Sequence, residues 1–291
     1  YRSSFDRPAG TEPEALLGLY IERVCSNVEV QLNGHRIFRG GSMTEPVTRN
    51  CHYPQLVTLP AALLKDEGNL LDLKVVGSEL HHVAARQRAA GLSQLRIGPY
   101  DELAAEQASQ TLWHVEAVKT VCLVLAVLGA FMIVLGWLHR REAHIGYFGW
   151  AALAWAALSL RLWWRDIPLD TAHVEFLVCT AFAPILALAV QFLLSHAGVR
   201  SRMIESALIA QCLILPLSLL LAGPQRLFLM ASAWYVVLAL EVFAVMVLHL
   251  RILRKAKRND FWPMLAMIAA GAAILAAEMA GQREVLGAPP L

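Results

Sequence analysis

Charge is what this sequence has least of. Of its 291 residues only 16% are Asp, Glu, Lys or Arg, whereas 57% are hydrophobic. A soluble domain carries about 25% charged and about 45–50% apolar residues, so this is not an ordinary water-soluble chain. Scarce charge, with a formal net charge of +2, excludes a disordered or nucleic-acid-binding protein. Methionine is missing from the first position, which is Tyr1, and no signal peptide precedes it. The chain also stops in a loop-like Gly287-Ala288-Pro289-Pro290-Leu291. The expectation is a fragment cut at both ends.

What charge there is lies unevenly. Residues 1 to about 115 hold most of the acids and have the composition of a soluble domain; from Ala117 onward come long apolar runs. A spanning helix needs about 20 mostly apolar residues. Six segments meet that requirement, at 118–138, 145–162, 174–194, 203–221, 227–250 and 262–279. Core helices of a soluble protein would keep a polar face, and these runs are apolar on all sides.

Lys and Arg in the connections set the expected orientation. One set holds Arg140, Arg141, Arg200, Arg202, Arg251, Arg254, Lys255, Lys257 and Arg258, nine in all; the alternate set holds Arg161, Arg165, Arg226 and Arg283, four. The nine-charge side is expected to be cytoplasmic, and its run 251–258 to meet anionic lipid headgroups. The N-terminal part would then lie outside the cytoplasmic membrane, with 283–291 beginning an outer loop. Trp113, Trp163 and Trp164 fall at the outer boundary, Trp137 and Trp262 at the inner one.

Residues 1–101 alternate with the period of strands: Leu17, Leu19, Ile21; Val28, Val30, Leu32; Leu71, Leu73, Val75; Leu95, Ile97. Asn33-Gly34 between two such runs signals a type I′ hairpin turn. Short strands at this spacing predict an antiparallel sandwich. A helix over 80–90 is expected to interrupt them, and 102–116 to link the sandwich to the membrane bundle of 117–282. Cys25 and Cys51 are the two cysteines of the exported part, and an oxidising compartment favours a bridge between them. Two free thiols serving as a redox or metal site are the alternative.

The segment Val28-Glu29-Val30-Gln31-Leu32-Asn33-Gly34-His35 resembles the V-x-L-N-G hairpin of jelly-roll, galactose-binding-like domains related to sugar-binding modules of glycoside hydrolases. Leu59–Leu64 followed by Gly68–Leu73 resembles the l-P-x-x-l-l … G-N-x-l-x-l stretch of that family, Tyr1–Phe5 an early strand, and Gly91–Pro99 its close. A jelly roll ahead of membrane helices with basic inner loops is similar to bacterial seven-transmembrane receptors with diverse intracellular signalling modules. Leu135-Gly136-Trp137 through Arg140-Arg141-Glu142, then Tyr147-Phe148-Gly149-Trp150, resembles their first two helices.

The resemblance implies a multi-domain membrane protein: a periplasmic all-β jelly roll, then an all-α bundle of six helices whose seventh is missing. It implies the input region of a sensor histidine kinase of a two-component system, multi-pass in the bacterial inner membrane. A homodimer, a response regulator, and ATP with Mg would belong with the missing cytoplasmic module. The ligand would be extracytoplasmic, with carbohydrate one class. The fragment has no phospho-acceptor His hairpin and no glycine-rich nucleotide boxes, so no catalytic residue is expected in it. A diguanylate cyclase output is one alternative; a transporter or passive anchor with a periplasmic accessory domain is another. The helices lack paired acids and bases and metal-ligand clusters, which argues against a transporter.

Candidate site residues are few. His35, Arg36 and Arg49, together with Arg39, could meet an anionic or sugar ligand at a sandwich edge, or form a solvated positive rim. Glu175 and Glu278 sit at outer helix ends within reach of Arg161 and Arg283, and could line a pocket or simply be solvated. Glu241 lies deep in the fifth segment, where a carboxylate costs about 2.5–3.5 kcal/mol to insert and needs a partner. It is either a switch point or a fixed interhelical contact. His52, His81 and His82 are not expected to bind metal, since adjacent helical histidines point about 100° apart.

Overall fold

A computed structural model of the chain describes residues 1–8, 15–85, 88–257 and 259–282, with side chains in the last helix described at 261–271 and 273. The chain divides into two compact units. The first comprises Tyr1–Val83, Arg88–Leu123 and Ser159–Glu175, and the second Ala84–Gln87, Val124–Leu158 and Phe176–Leu291.

The first unit is β-rich. Its described strands are β1 (Arg2–Phe5), β2 (Leu17–Ile21), β3 (Val24–Cys25), β4 (Asn27–Leu32), β5 (His35–Arg39), β6 (Gln55–Leu59), β7 (Asn69–Val76), β8 (Gly91–Leu92) and β9 (Leu95–Pro99). All pairings are antiparallel, in a four-stranded sheet β1-β7-β4-β5, a three-stranded sheet β6-β2-β9 and a short pair β3-β8. Period-two alternation sends Val28, Val30, Leu32, Leu71 and Leu73 from one large sheet, and Leu17, Leu19, Ile21, Val57 and Leu59 from the other, into one apolar core. The β4–β5 turn has φ of 50° at Asn33 and 85° at Gly34, the two positive values a type I′ turn demands.

Strand β2 is buried along its whole length, and Tyr20 on its outer side is 0% exposed. The reason is the helix α1 (Tyr100–Thr111), which covers that face: a Cβ on Gly18 would stand 3.4 Å from Tyr100 and 3.5 Å from Leu103. Arg96 caps the Tyr20 ring at 5.1 Å. The expected helix over 80–90 is not continuous among the described residues. Among the described residues Leu80–His82 makes a 3-10 turn, 83–85 are bends, and Arg88 is again 3-10 before β8. The expected linker is itself helical: α1 runs through a π-helical turn at Leu112–Glu116 into α2 (Ala117–Leu138), a continuous 39-residue helix Tyr100–Leu138.

The remaining helices are α3 (Ala143–Ser159), α4 (Thr171–His196), α5 (Arg202–Ala222), α6 (Leu227–Lys255) and α7 (Phe261–Gln282). Among the described residues five helices are long and apolar enough to cross a membrane, and they mark a multi-pass membrane protein. The sixth segment of the sequence reading falls on α7, whose apolar stretch is described over Phe261–Gly271. Exposed Leu, Val, Phe and Trp side chains, among them Phe131, Trp137, Leu213, Leu221 and Phe243, cover the outward helix faces. Between α4, α5 and α6 the second unit builds its own core from Cys179, Ala183, Leu215, Leu219, Ala231 and Leu238. Trp234 donates to the Ser218 hydroxyl at 2.7 Å within it. Small residues join α2 to α3: a Cβ on Gly129 would lie 2.9 Å from the Gly149 carbonyl oxygen, and one on Gly136 2.6 Å from the Gly146 nitrogen.

Candidate functional site

The polar groups of the first unit gather where the β5–β6 connection, residues 40–54, meets the segment Ser159–Glu175. The connection is stiffened from below. Cys51 is joined to Cys25 in a disulfide with Cα atoms 4.4 Å apart. Asn50, fully buried, donates from its side chain to Asn27 Oδ1 and to the Gly40 carbonyl, both at 3.0 Å. Its backbone amide reaches the Ser26 carbonyl at 2.8 Å. Asn27, also 0% exposed, donates to the Ser42 carbonyl at 2.8 Å. These bonds satisfy buried backbone groups that no ladder serves.

Onto that loop the segment Ser159–Glu175 is bound by a row of polar contacts. The Thr48 hydroxyl donates to Asp166 Oδ1 at 2.7 Å and accepts the Ser42 amide at 2.9 Å. The Tyr53 hydroxyl donates to the Trp163 carbonyl at 2.8 Å, and the Arg165 guanidinium lies 5.0 Å over the same ring. Arg165 also donates to the Gly40 carbonyl at 3.1 Å, while its own carbonyl accepts the Arg49 amide at 3.0 Å. Glu45 accepts the Thr171 amide at 3.1 Å, at the first residue of α4. One turn further, Glu175 Oε2 lies 3.2 Å from Arg88 Nε, with side-chain exposures of 6% and 15%.

The electrostatics are those of a crowded, partly dry cationic site. Burial lowers the Arg49 pKa; Glu175 and Glu45 oppose that, and Arg88 adds to it. His52 is pushed down to about 4, chiefly by burial and then by Arg23, Arg161, His114 and Arg88. It is a neutral imidazole at physiological pH. Chemically the arrangement is a clasp: charge-assisted hydrogen bonds between a rigid loop and the start of a membrane-length helix.

The structure brings Arg49 and Glu175 into one electrostatic neighbourhood and adds Arg88, Thr48, Tyr53 and Asp166, which the sequence did not single out, and Arg165, which it marked only as a charge of the outer connections. His35 and Arg36 stand elsewhere, on the exposed strand β5, where Arg36 lies 3.8 Å from Glu29. Glu241 is half-buried in α6, with Cys212 of α5 within electrostatic reach. The Glu278 side chain and Arg283 lie outside the described residues. Glu79, His81 and His82 place three ligand atoms within 4.8 Å of one another on the 3-10 turn; Glu79 and His81 are exposed, His82 half-buried, and Glu79 is 3.3 Å from His81. A shallow open groove of about 550 Å³ lies beside the bidentate Arg2–Asp72 pair, whose bonds are 2.6 and 3.2 Å. No protein-family model, curated protein or solved structure matches the chain.

Proposed function

We propose that the chain is the input region of a transmembrane signal receptor. The β-rich part, read as a jelly roll outside the cytoplasmic membrane, receives an extracytoplasmic ligand or partner, and the helices carry the change inward. One observation supports this above the others: the loop Gly40–Pro54 holds the segment that opens α4 through the Thr48–Asp166, Tyr53–Trp163 and Glu45–Thr171 bonds. A passive anchor needs only a tether, whereas a receptor needs a link stiff enough to favour one of two helix arrangements. Ligand binding that shifts the loop would act directly on the first turn of α4.

In this reading the bundle has a sixth spanning helix at α7 and a seventh beyond it, the N-terminal part is periplasmic, and the membrane is the bacterial inner one. The output is a histidine kinase acting as a homodimer on a response regulator, with ATP and Mg bound only by that module. The reading frame past Leu291 tests the proposal. A seventh apolar helix followed by a dimerisation helix with a phosphorylatable His and a nucleotide-binding module is expected. A stop codon directly after the bundle, with no cytoplasmic module, would overturn it.

A further inference from the structure

The connection between β7 and β8 opens with Glu79-Leu80-His81-His82, three metal-ligating side chains within four consecutive residues. Its backbone is held on both sides. Before it, a Cβ on Gly77 would stand 2.8 Å from the Cys25 carbonyl oxygen, and the Ala90 amide donates to the Ser78 carbonyl at 2.7 Å. After it, Val83 is fully buried. Between these anchors the His82 amide donates to the Glu79 carbonyl at 3.0 Å and closes the 3-10 turn Leu80–His82 behind Glu79.

A 3-10 turn has about three residues, so side chains at i and i+3 eclipse one another. Glu79 and His82 stand in that relation. The divergence expected of adjacent histidines belongs to an α-helix; on this turn the centroids of the His81 and His82 rings are 4.1 Å apart, with the planes inclined at 52°. His81 Nε2 lies 3.3 Å from Glu79 Oε2. One ligand atom from each of the three residues lies within 4.8 Å of the other two. Among the described residues this is the one group of His, Cys, Asp and Glu side chains that comes so close.

We infer that Glu79, His81 and His82 form a binding site for a divalent transition-metal ion of the zinc class. Ligand atoms on one tetrahedral zinc, each bonded at about 2.0–2.2 Å, lie about 3.3–3.6 Å apart. The Glu79–His81 separation already has that value, and the His82 ring comes in by rotation about χ2, a broad and soft torsion. Two imidazoles with a carboxylate suit zinc, copper and nickel, whereas magnesium and calcium take all-oxygen sites. The Glu79 and His81 side chains are 75% and 50% exposed, so an ion enters without opening the fold and keeps water in its fourth position. It would fix the first turn of the connection from which Arg88 reaches Glu175. The inference needs only the fold of the first unit and is independent of the receptor reading.

The test is calorimetric titration of the purified, untagged full chain in phosphatidylcholine nanodiscs with Zn²⁺, repeated with Mg²⁺. Expected are one Zn²⁺ per chain and no binding of Mg²⁺. Cu²⁺ added to one equivalent should show electron paramagnetic hyperfine splitting from two imidazole nitrogens. Glu79→Gln, His81→Gln and His82→Gln should each weaken Zn²⁺ binding about tenfold or more, the least that loss of even an outer-shell partner costs. Glu79→Gln and His81→Gln change exposed side chains and should melt with the wild type in the absence of metal, which keeps the question answerable if the half-buried His82 variant does not fold. His173→Gln, at an exposed histidine 3.8 Å from Asp170, is the control and should leave binding unchanged. Absence of saturable Zn²⁺ binding, wild-type affinity in Glu79→Gln or His81→Gln, equal binding of Mg²⁺, or loss of binding with His173→Gln would overturn the inference.

Discussion

Thr48 and Asp166 are 118 residues apart in sequence and joined by a 2.7 Å hydrogen bond. The Thr48 hydroxyl is used twice, as acceptor of the Ser42 amide and donor to the carboxylate, and the residue is 3% exposed. It therefore ties the loop to itself and to the segment that opens α4. Thr48→Val keeps the shape and removes both bonds, leaving the Ser42 amide without its hydroxyl acceptor. We expect a loss of about 1–3 kcal/mol, read as a lower melting temperature of the purified chain. Faster tryptic cleavage at Arg165 should accompany it. Unchanged cleavage would mean that the clasp does not depend on this bond.

The Arg88–Glu175 pair is largely out of water, so its two halves should be unequal to their sum. Glu175→Gln leaves Arg88 beside Arg49 without the carboxylate that faces both. Breaking one side of a buried pair costs about 3–5 kcal/mol, because the other charge stays buried. Adding Arg88→Met removes that charge, and the double variant should be more stable than Glu175→Gln alone. Chemical denaturation of the four species forms the cycle, and strictly additive losses would refute coupling.

His52 predicts an acid-side loss of stability. Its folded pKa is about 4, below the ordinary value of 6.5 that the unfolded chain shows. Between those two values the unfolded state binds a proton that the folded state refuses, so stability falls as pH drops from 6.5 to 4 and then levels off. The full effect is at most about 3 kcal/mol, from about 1.4 kcal/mol per pKa unit. Melting curves should show the stability of His52→Gln flatter across the window, so that the wild type loses stability relative to the variant, by up to that amount, as pH falls from 6.5 to 4. Parallel curves would show that His52 titrates normally.

How much of this was legible in the sequence follows the range of the interactions. The strands and the Asn33-Gly34 turn are written in neighbouring residues, as period-two alternation and as two positions that tolerate positive φ. The apolar helices are equally local. The covering of β2 by α1 was not legible, since Gly18 is covered by Tyr100 and Leu103, some 80 residues away. Of the helix expected over 80–90, the described residues form a 3-10 turn at Leu80–His82, and Arg88 is drawn to Glu175, a partner far away in sequence. Arg49 and Glu175 were singled out separately, as a rim residue and a helix end, and only the tertiary fold makes them neighbours. His144, His196 and His249 were not singled out in the sequence, and they meet only in the folded chain. Their contact depended on helix rotation, which these all-apolar runs do not specify.

Helix α2 lies against α3 at a distance that only glycine permits. A Cβ on Gly149 would stand 2.7 Å from the Ile133 backbone nitrogen and 2.9 Å from Ile133 Cγ1. Neither neighbour has room to yield, because the first is main chain and the second is held by it. Helices in lipid associate through such close packing, without a hydrophobic driving force between them. Gly149→Ala should therefore destabilise by the overpacking cost of about 1–3 kcal/mol, even though alanine is the better helix former. Gly271→Ala in α7 is the control, as nothing lies within 4 Å of a Cβ there. It should be neutral or stabilising by up to about 1 kcal/mol, through the lower entropy of the unfolded chain. Thermal melting of both variants in nanodiscs separates the two effects: a Gly149→Ala chain that melts with the wild type would mean that α2 and α3 can move apart without loss.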